Sequence, residues 1–256
     1  MRLLERVGRE RLLFGHRGAP EEAPENTLAS FRRAVELALD GVELDVRLCK
    51  TGELVVVHDE RVDKLTGGSG YVDQLSFEEI RSLDAGVRFG GKFRREVIPS
   101  LEEALETLRG KMLVNVELKT KSILGGGLEG KVVALIEKMG LESSVILSSF
   151  NPFSIRRVKQ TNPTLTVGLL FSDDQPIHLR RAWAARFVRV DGLHPRYPLV
   201  TEKLIGRARA NKWFVGTWTV DDADMAARLF RAGVNIVMTN RPRQLRESLK
   251  LKGEYN

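Results

Sequence analysis

From residue 112 onward the chain alternates short apolar runs with amphipathic stretches, and this rhythm restricts the fold more than any single motif does. Strands are expected at about 112–118, 145–149, 165–171, 187–190, 213–218 and 235–238. Each is followed by a helical pattern, at about 129–139, 152–160, 177–185, 200–210, 222–232 and 242–250, because apolar residues switch from continuous or alternating runs to a 3.6-residue period. Earlier strands at about 12–15 and 42–48, with helices at about 28–39 and 100–109, complete eight strand-helix units in 256 residues. Such alternation builds parallel sheets, and eight units of this length predict an α/β fold, a (β/α)8 TIM barrel. A doubly wound open sheet is the alternative, but no Gly-rich dinucleotide fingerprint follows the first strand.

Local signals punctuate this plan. Asn26-Thr27 caps the first helix, since both side chains accept the free N–H groups of a first turn. Ser76-Phe77-Glu78-Glu79 and Ser100-Leu101-Glu102-Glu103 are capping boxes. Between about 59 and 100 the rhythm breaks, with glycines at 67, 68, 70, 86, 90 and 91. This stretch reads as a small lobe inserted after the second strand of a single domain spanning residues 1–256.

The second strand has two unlike faces. Val42, Leu44, Val46 and Leu48 point one way and Glu43, Asp45 and Arg47 the other, because side chains alternate along a strand. Val114-Asn115-Val116-Glu117-Leu118-Lys119 repeats the pattern, so two strands turn three carboxylates to a common side. Parallel strands are ordinarily apolar on both faces, and a buried carboxylate needs a partner. The plainer alternative is two antiparallel strands with one wet face. Against it, unusual residues recur where strands end: His16 and Arg17, Glu117 and Lys119, Ser148 to Phe150, Asp191 to His194, Trp218, and Thr239-Asn240. In a barrel that end carries the active site.

Glu43, Asp45 and Glu117 are hard oxygen donors without thiolates, which suits Mg²⁺ or Ca²⁺. Arg17 and Lys119 beside them suit a phosphate, the guanidinium by paired hydrogen bonds and the ammonium as a point charge. His16 and His58 titrate near neutrality and are candidates for acid and base. His178 lies in a basic stretch and reads as surface, while His194, before Pro195, is left open between pocket and core.

Composition narrows the partners. Forty-one basic and thirty-four acidic residues leave +7, and 42% of residues are hydrophobic. Scattered positive charge favours anionic small molecules or peripheral contact with a lipid surface. There is no apolar run near the roughly 18 residues of a membrane span, no signal-peptide pattern at Met1 to Arg6, and no nucleic-acid-binding motif. Cys49 is the single cysteine, so no disulfide forms within the chain. A cytoplasmic protein is expected.

Taken in order, His16-Arg17-Gly18, Pro24-Glu25-Asn26-Thr27, Glu43-Leu44-Asp45-Val46, Val57-His58-Asp59, Ile98 to Glu103, Glu117-Leu118-Lys119, Ser149-Phe150 and Trp218-Thr219-Val220 resemble the glycerophosphodiester phosphodiesterases from about residue 12 to 245. The resemblance implies a barrel with an insertion after the second strand. It also implies metal-dependent hydrolysis of glycerophosphodiesters to glycerol phosphate and an alcohol. It carries the catalytic pair onto His16 and His58, the metal ligands onto Glu43, Asp45 and Glu117, and the phosphate-side cations onto Arg17 and Lys119. Phe150 and Trp218 match aromatic positions near the glycerol or leaving group, and Glu25 is either part of the site or a helix N-terminal charge. Hydrolysis through a cyclic phosphate and direct attack by water both stay open.

Three positions depart from the family pattern: Ala38 where glycine is usual, so that the first helix should stop differently, Lys64 for arginine and Asn235 for aspartate. None of the three is expected to touch the chemistry. The alternatives are hydrolysis of lysophospholipids, with Phe89, Phe93, Phe150, Phe153 and Phe171 as candidate acyl lining, and a non-catalytic barrel that binds phosphodiesters or anionic lipid.

Overall fold

The computed structural model describes residues 3–120, 122, 124–180 and 182–255, with positions 178 and 179 in backbone only. The surface position expected for His178 therefore lies outside the described side chains. Eight parallel strands close into a barrel: β1 (Leu12–His16), β2 (Gly41–Leu48), β4 (Leu113–Leu118), β5 (Val145–Ser149), β6 (Thr166–Phe171), β7 (Gly192–Pro195), β8 (Phe214–Thr217) and β9 (Ile236–Thr239). They run in order around the barrel, and pairing of β1 with both β2 and β9 closes it. The short β3 (Leu54–Val56) hangs antiparallel on the outer part of β2.

The helices are α1 (Leu3–Arg9), α2 (Leu28–Glu36), α3 (Phe77–Arg81), α4 (Leu101–Leu108), α5 (Leu128–Met139), α6 (Pro152–Thr161), α7 (Ile177–Arg180), α8 (Glu202–Ala210), α9 (Ala223–Ala232) and α10 (Pro242–Leu251). Thr27 caps α2 by accepting from the Ser30 amide, and both capping boxes form, at α3 and α4. The outward row of β2 (Val42, Leu44, Val46) joins the main core between strands and helices. The inward residues of the lower barrel, Leu12, Phe14, Leu113, Ile146, Phe214 and Ile236, form a second core with Leu3 and Val7 of α1. Helix α1 thus plugs the N-terminal end of the barrel.

Two expectations need correction. No strand forms at 187–190, because the turn begun at Trp183 continues: the amides of Phe187 and Val188 both reach the Ala184 carbonyl. Arg189 then takes φ 53° and reverses the chain. The strand lies instead at Gly192–Pro195, so His194 is inside the barrel wall and does not follow it. The helix expected at 177–185 is split into α7 and a 3₁₀ turn at Trp183–Arg186, and position 181 is outside the described residues.

The region between β3 and α4 builds a small core of Val57, Val62, Val72, Ile80, Ala85 and Ile98, which Cys49 and Val55 join from the barrel side. It leaves and rejoins the barrel at neighbouring points. The Val56 amide donates to the Pro99 carbonyl at 2.9 Å, and Val55 bridges Ser100.

Candidate active site

The register sets the site. Glu43 lies opposite Asn115, and Asp45 opposite Glu117, across β2 and β4, so all four side chains enter the barrel from adjacent strands. Carboxylate oxygens of Glu43, Asp45 and Glu117 come within 4.8 Å of one another, and all three residues are buried. Lys119 places Nζ 3.1 Å from Asp45 Oδ1 and 2.6 Å from Glu117 Oε1. Arg17 places Nε 3.3 Å from Asp45 Oδ2 and donates through Nη1 to Glu25 Oε1 at 2.9 Å. Glu25 is therefore an ion partner of Arg17.

With all three ionised, the carboxylates outnumber the two cations in a buried space. Burial, reinforced by Asp45 and Glu117, pushes the Glu43 carboxyl well above its ordinary range. Burial also acts to raise Asp45, but Lys119 and Arg17 outweigh it and hold that carboxyl below its usual range. Glu43 Oε1 is buried without a hydrogen-bond partner among the described residues. An all-oxygen donor set with excess negative charge and an unpartnered ligand atom fits a hard divalent cation. Cys49, in the core of the inserted lobe, takes no part.

The two histidines flank this cluster. His16 closes β1, with Nδ1 2.8 Å from Asn240 Oδ1. Asn240 in turn gives its backbone N–H to Asp221 at 2.7 Å and its side-chain amide to the same carboxylate at 3.3 Å. That fixes the amide so that its oxygen faces His16, which therefore carries its proton on Nδ1. Nε2 of His16 points inward, 3.8 Å from Glu43 Oε2. His58 follows β3, with Nδ1 2.8 Å from Asp59 Oδ1. Its carbonyl accepts from Arg47 Nε and Nη2 at 2.9 and 2.7 Å.

Burial and the Arg17 charge lower the His16 pKa to about 4, and burial lowers that of His58 against the pull of Asp45. Both rings are thus neutral near pH 7, each with one nitrogen available to a substrate.

These groups line a cavity of about 210 Å³, walled on the far side by Phe150, Leu170, Trp218 and Met238. Phe150 and Trp218 meet edge to face, with centroids 5.5 Å apart. The residues singled out from the sequence as catalytic, cationic, metal-ligating or aromatic near the substrate line this cavity, except Asp45, which is paired with two of the lining residues, Arg17 and Lys119.

Other expectations fare differently. His194 does not line the cavity; it is fully buried in the barrel, edge to face with Phe214 at 5.5 Å. Gly168 and Gly216 make room for it, since a Cβ at Gly168 would stand 2.6 Å from its Nε2. Of the five phenylalanines considered for an acyl groove, only Phe150 is on the cavity. Phe171 is in the main core, and Phe89 and Phe93 meet edge to face in the lobe.

Lys64 stays off the cavity but touches a supporting group: its Nζ lies 3.3 Å from Asp59 Oδ2, on the carboxylate that holds His58. Asn235 is structural, its Oδ1 accepting from Val215 at 2.9 Å. Ala38 adopts φ 49°, the left-handed stop that glycine ordinarily supplies, so the helix ends as a glycine would end it.

Sequence reasoning missed the supporting residues. Asn26 has φ 57° and donates through Nδ2 to Asp45 Oδ2 at 2.8 Å while accepting from the Asp45 amide. It was legible only as a helix-capping residue. Asn240 was visible as a strand-end residue, but nothing local links it to His16, 224 positions away.

Comparison with known proteins agrees with this geometry. Residues 16–244 match the glycerophosphoryl diester phosphodiesterase family. The chain is 42% identical over 237 residues to a glycerophosphodiester phosphodiesterase of Caldanaerobacter subterraneus subsp. tengcongensis, covering 91% of this chain and 96% of that one. It is 31% identical to one of Bacillus altitudinis, covering 93% and 99%. Among solved structures, an Oleispira antarctica phosphodiesterase in complex with the product sn-glycerol-3-phosphate superposes with a TM-score of 0.82 at 28% identity, covering 94% and 97%.

Proposed function

Because the chain belongs to the glycerophosphoryl diester phosphodiesterase family, we propose a reaction in which His16 and His58 exchange the protons, Arg17 and Lys119 grip the phosphate, and Glu43, Asp45 and Glu117 hold a divalent cation. The enzyme is a phosphoric diester hydrolase that converts glycerophosphodiesters to glycerol phosphate and an alcohol. The cation, Mg²⁺ or Ca²⁺, would polarise the phosphoryl oxygens and offset their charge when bound.

The chain's own groups do the remaining work. Arg17 and Lys119 are fixed against carboxylates on the cavity wall, so they meet a phosphate without reorganising. His16 and His58 suit a pair in which one neutral ring accepts the nucleophile's proton and the other, having first taken a proton from solvent, gives it to the leaving alcohol; the first ring then returns its proton to solvent. Their Nδ1 partners, Asn240 and Asp59, aim Nε2 at the substrate. Phe150 and Trp218 seat the carbon skeleton. The reading treats the whole chain as one phosphodiesterase unit with an inserted lobe, acting in the cytoplasm on a small-molecule substrate. No helix among the described residues is long and apolar enough to cross a membrane.

The observation that carries this reading is the convergence of three buried carboxylates between two histidines, each held at Nδ1. It is tested by following glycerol phosphate release from glycerophosphocholine, glycerophosphoethanolamine and glycerophosphoglycerol with Mg²⁺, with Ca²⁺ and with a chelator. Release that the chelator abolishes is the expected result. Release unaffected by exhaustive chelation would overturn the metal assignment.

A further inference from the structure

The catalytic cavity is small for its substrates. Its volume of about 210 Å³ falls below the roughly 300–1,000 Å³ that encloses a drug-sized ligand. It suits a phosphate with one short arm, and the second arm of a diester must pass outside.

One exit is built. His58 and Lys119 line the cavity and also an open basin of about 590 Å³ bordered by Arg47, Glu60 and Tyr71. Those three residues and Lys119 also line a groove of about 530 Å³. The shared residues place cavity, basin and groove next to one another. One wall belongs to the inserted lobe, through Tyr71 and Gln74, and the opposite wall to the β4–α5 connection, through Thr120 and Gly126.

We propose that this groove is the seat of the leaving alcohol, and that it takes a polar alcohol, a polyol or an amino alcohol. The proposal rests on the phosphodiesterase reading above. Two features favour it. The glycerol half is common to all such substrates and suits the small cavity with its Phe150 and Trp218 wall, whereas the variable half suits the larger groove. Charged groups of both signs, Arg47 and Lys119 against Glu60 and Asp73, border the groove, and that mixture solvates hydroxyls and ammonium groups and disfavours a hydrocarbon chain.

The groove can be filled without touching the catalytic groups. A Cβ at Gly126 meets nothing within 4 Å, and the exposed side chain of Gln74 stands on the opposite wall. The experiment measures kcat/KM of wild type, Gly126→Trp and Gln74→Trp on the glycerol phosphate diesters of methanol, glycerol and inositol, and on 1-acyl lysophosphatidylcholine, with Tm recorded for each protein.

The expected result is a loss that grows with the alcohol, at least about tenfold for the inositol diester and within about twofold for the methyl diester, in both variants. Equal losses on all three diesters, or no loss on any, would overturn the proposal. So would a loss confined to the acylated substrate, which would put the glycerol arm in the groove. If wild type hydrolyses none of the compounds with metal present, the phosphodiesterase reading itself fails.

Discussion

The two ends of the barrel are built on opposite principles. At the N-terminal end, α1 lays Leu3 and Val7 against an interior layer of Leu12, Phe14, Phe214 and Ile236. Polar groups at that rim are paired: Asp40 accepts from the Leu13 amide at 2.8 Å and from Tyr255 Oη at 2.6 Å. At the C-terminal end, carboxylates crowd within 4.8 Å, Glu43 keeps an unpartnered buried oxygen, and Arg17 and Asn26 sit at φ 59° and 57°. Burying like charges and holding a non-glycine residue left-handed both cost free energy. One end stores stability and the other spends it on a preorganised site.

Substitutions at each end should therefore separate activity from stability. The largest effect is expected for His58→Ala or His16→Ala, each lowering kcat by roughly 10²- to 10⁴-fold with Tm unchanged. Wild-type turnover in either variant would sink the acid-base assignment. At the opposite end, Leu12→Ala should lower stability by about 2–5 kcal/mol, seen in denaturant melts, while kcat at a temperature where the protein stays folded holds steady. A matching fall in kcat would mean that the two ends are coupled.

A smaller effect sharpens the comparison from within the site. Asn240→Leu removes the acceptor of His16 Nδ1, at about 1–3 kcal/mol for the unpaired group, and should appear in kcat and its pH profile more than in KM. The smallest is Ala38→Gly. It relieves the left-handed alanine and should raise stability by about 0.5–1 kcal/mol with no change in rate. A stability decrease would show that the alanine methyl contributes packing that outweighs its backbone cost.

What could be read in advance follows the same division. The carboxylate row was legible because an alternating strand buried on both faces cannot place Glu43, Asp45 and Glu117 inward without a reason. The caps of α3 and α4 were legible because their chemistry is local. Helix α1 was not, since seven residues are too few to hold a helix alone whatever their preference, and they owe their order to the barrel they plug. Strand β7 was displaced in the reading because Phe187-Val188 looks strand-like in isolation. Gly192 and Pro195 look unlike a strand, yet pairing with Gly168 and Phe171 makes them one. The support of His16 could not be read for a similar reason: Asn240 meets His16, and Asp221 holds Asn240, only once the barrel has closed.

The adjacency of the lobe's two ends has a consequence for how such an enzyme diversifies. With departure and return joined by the Val56 to Pro99 hydrogen bond and the Val55 to Ser100 bridge, the segment between them resembles a cassette whose two ends clip into one socket. Segments with adjacent ends are exchanged with little strain on their host. A change of length inside the lobe therefore need not shift the barrel's register, although His58 stands at the clip itself.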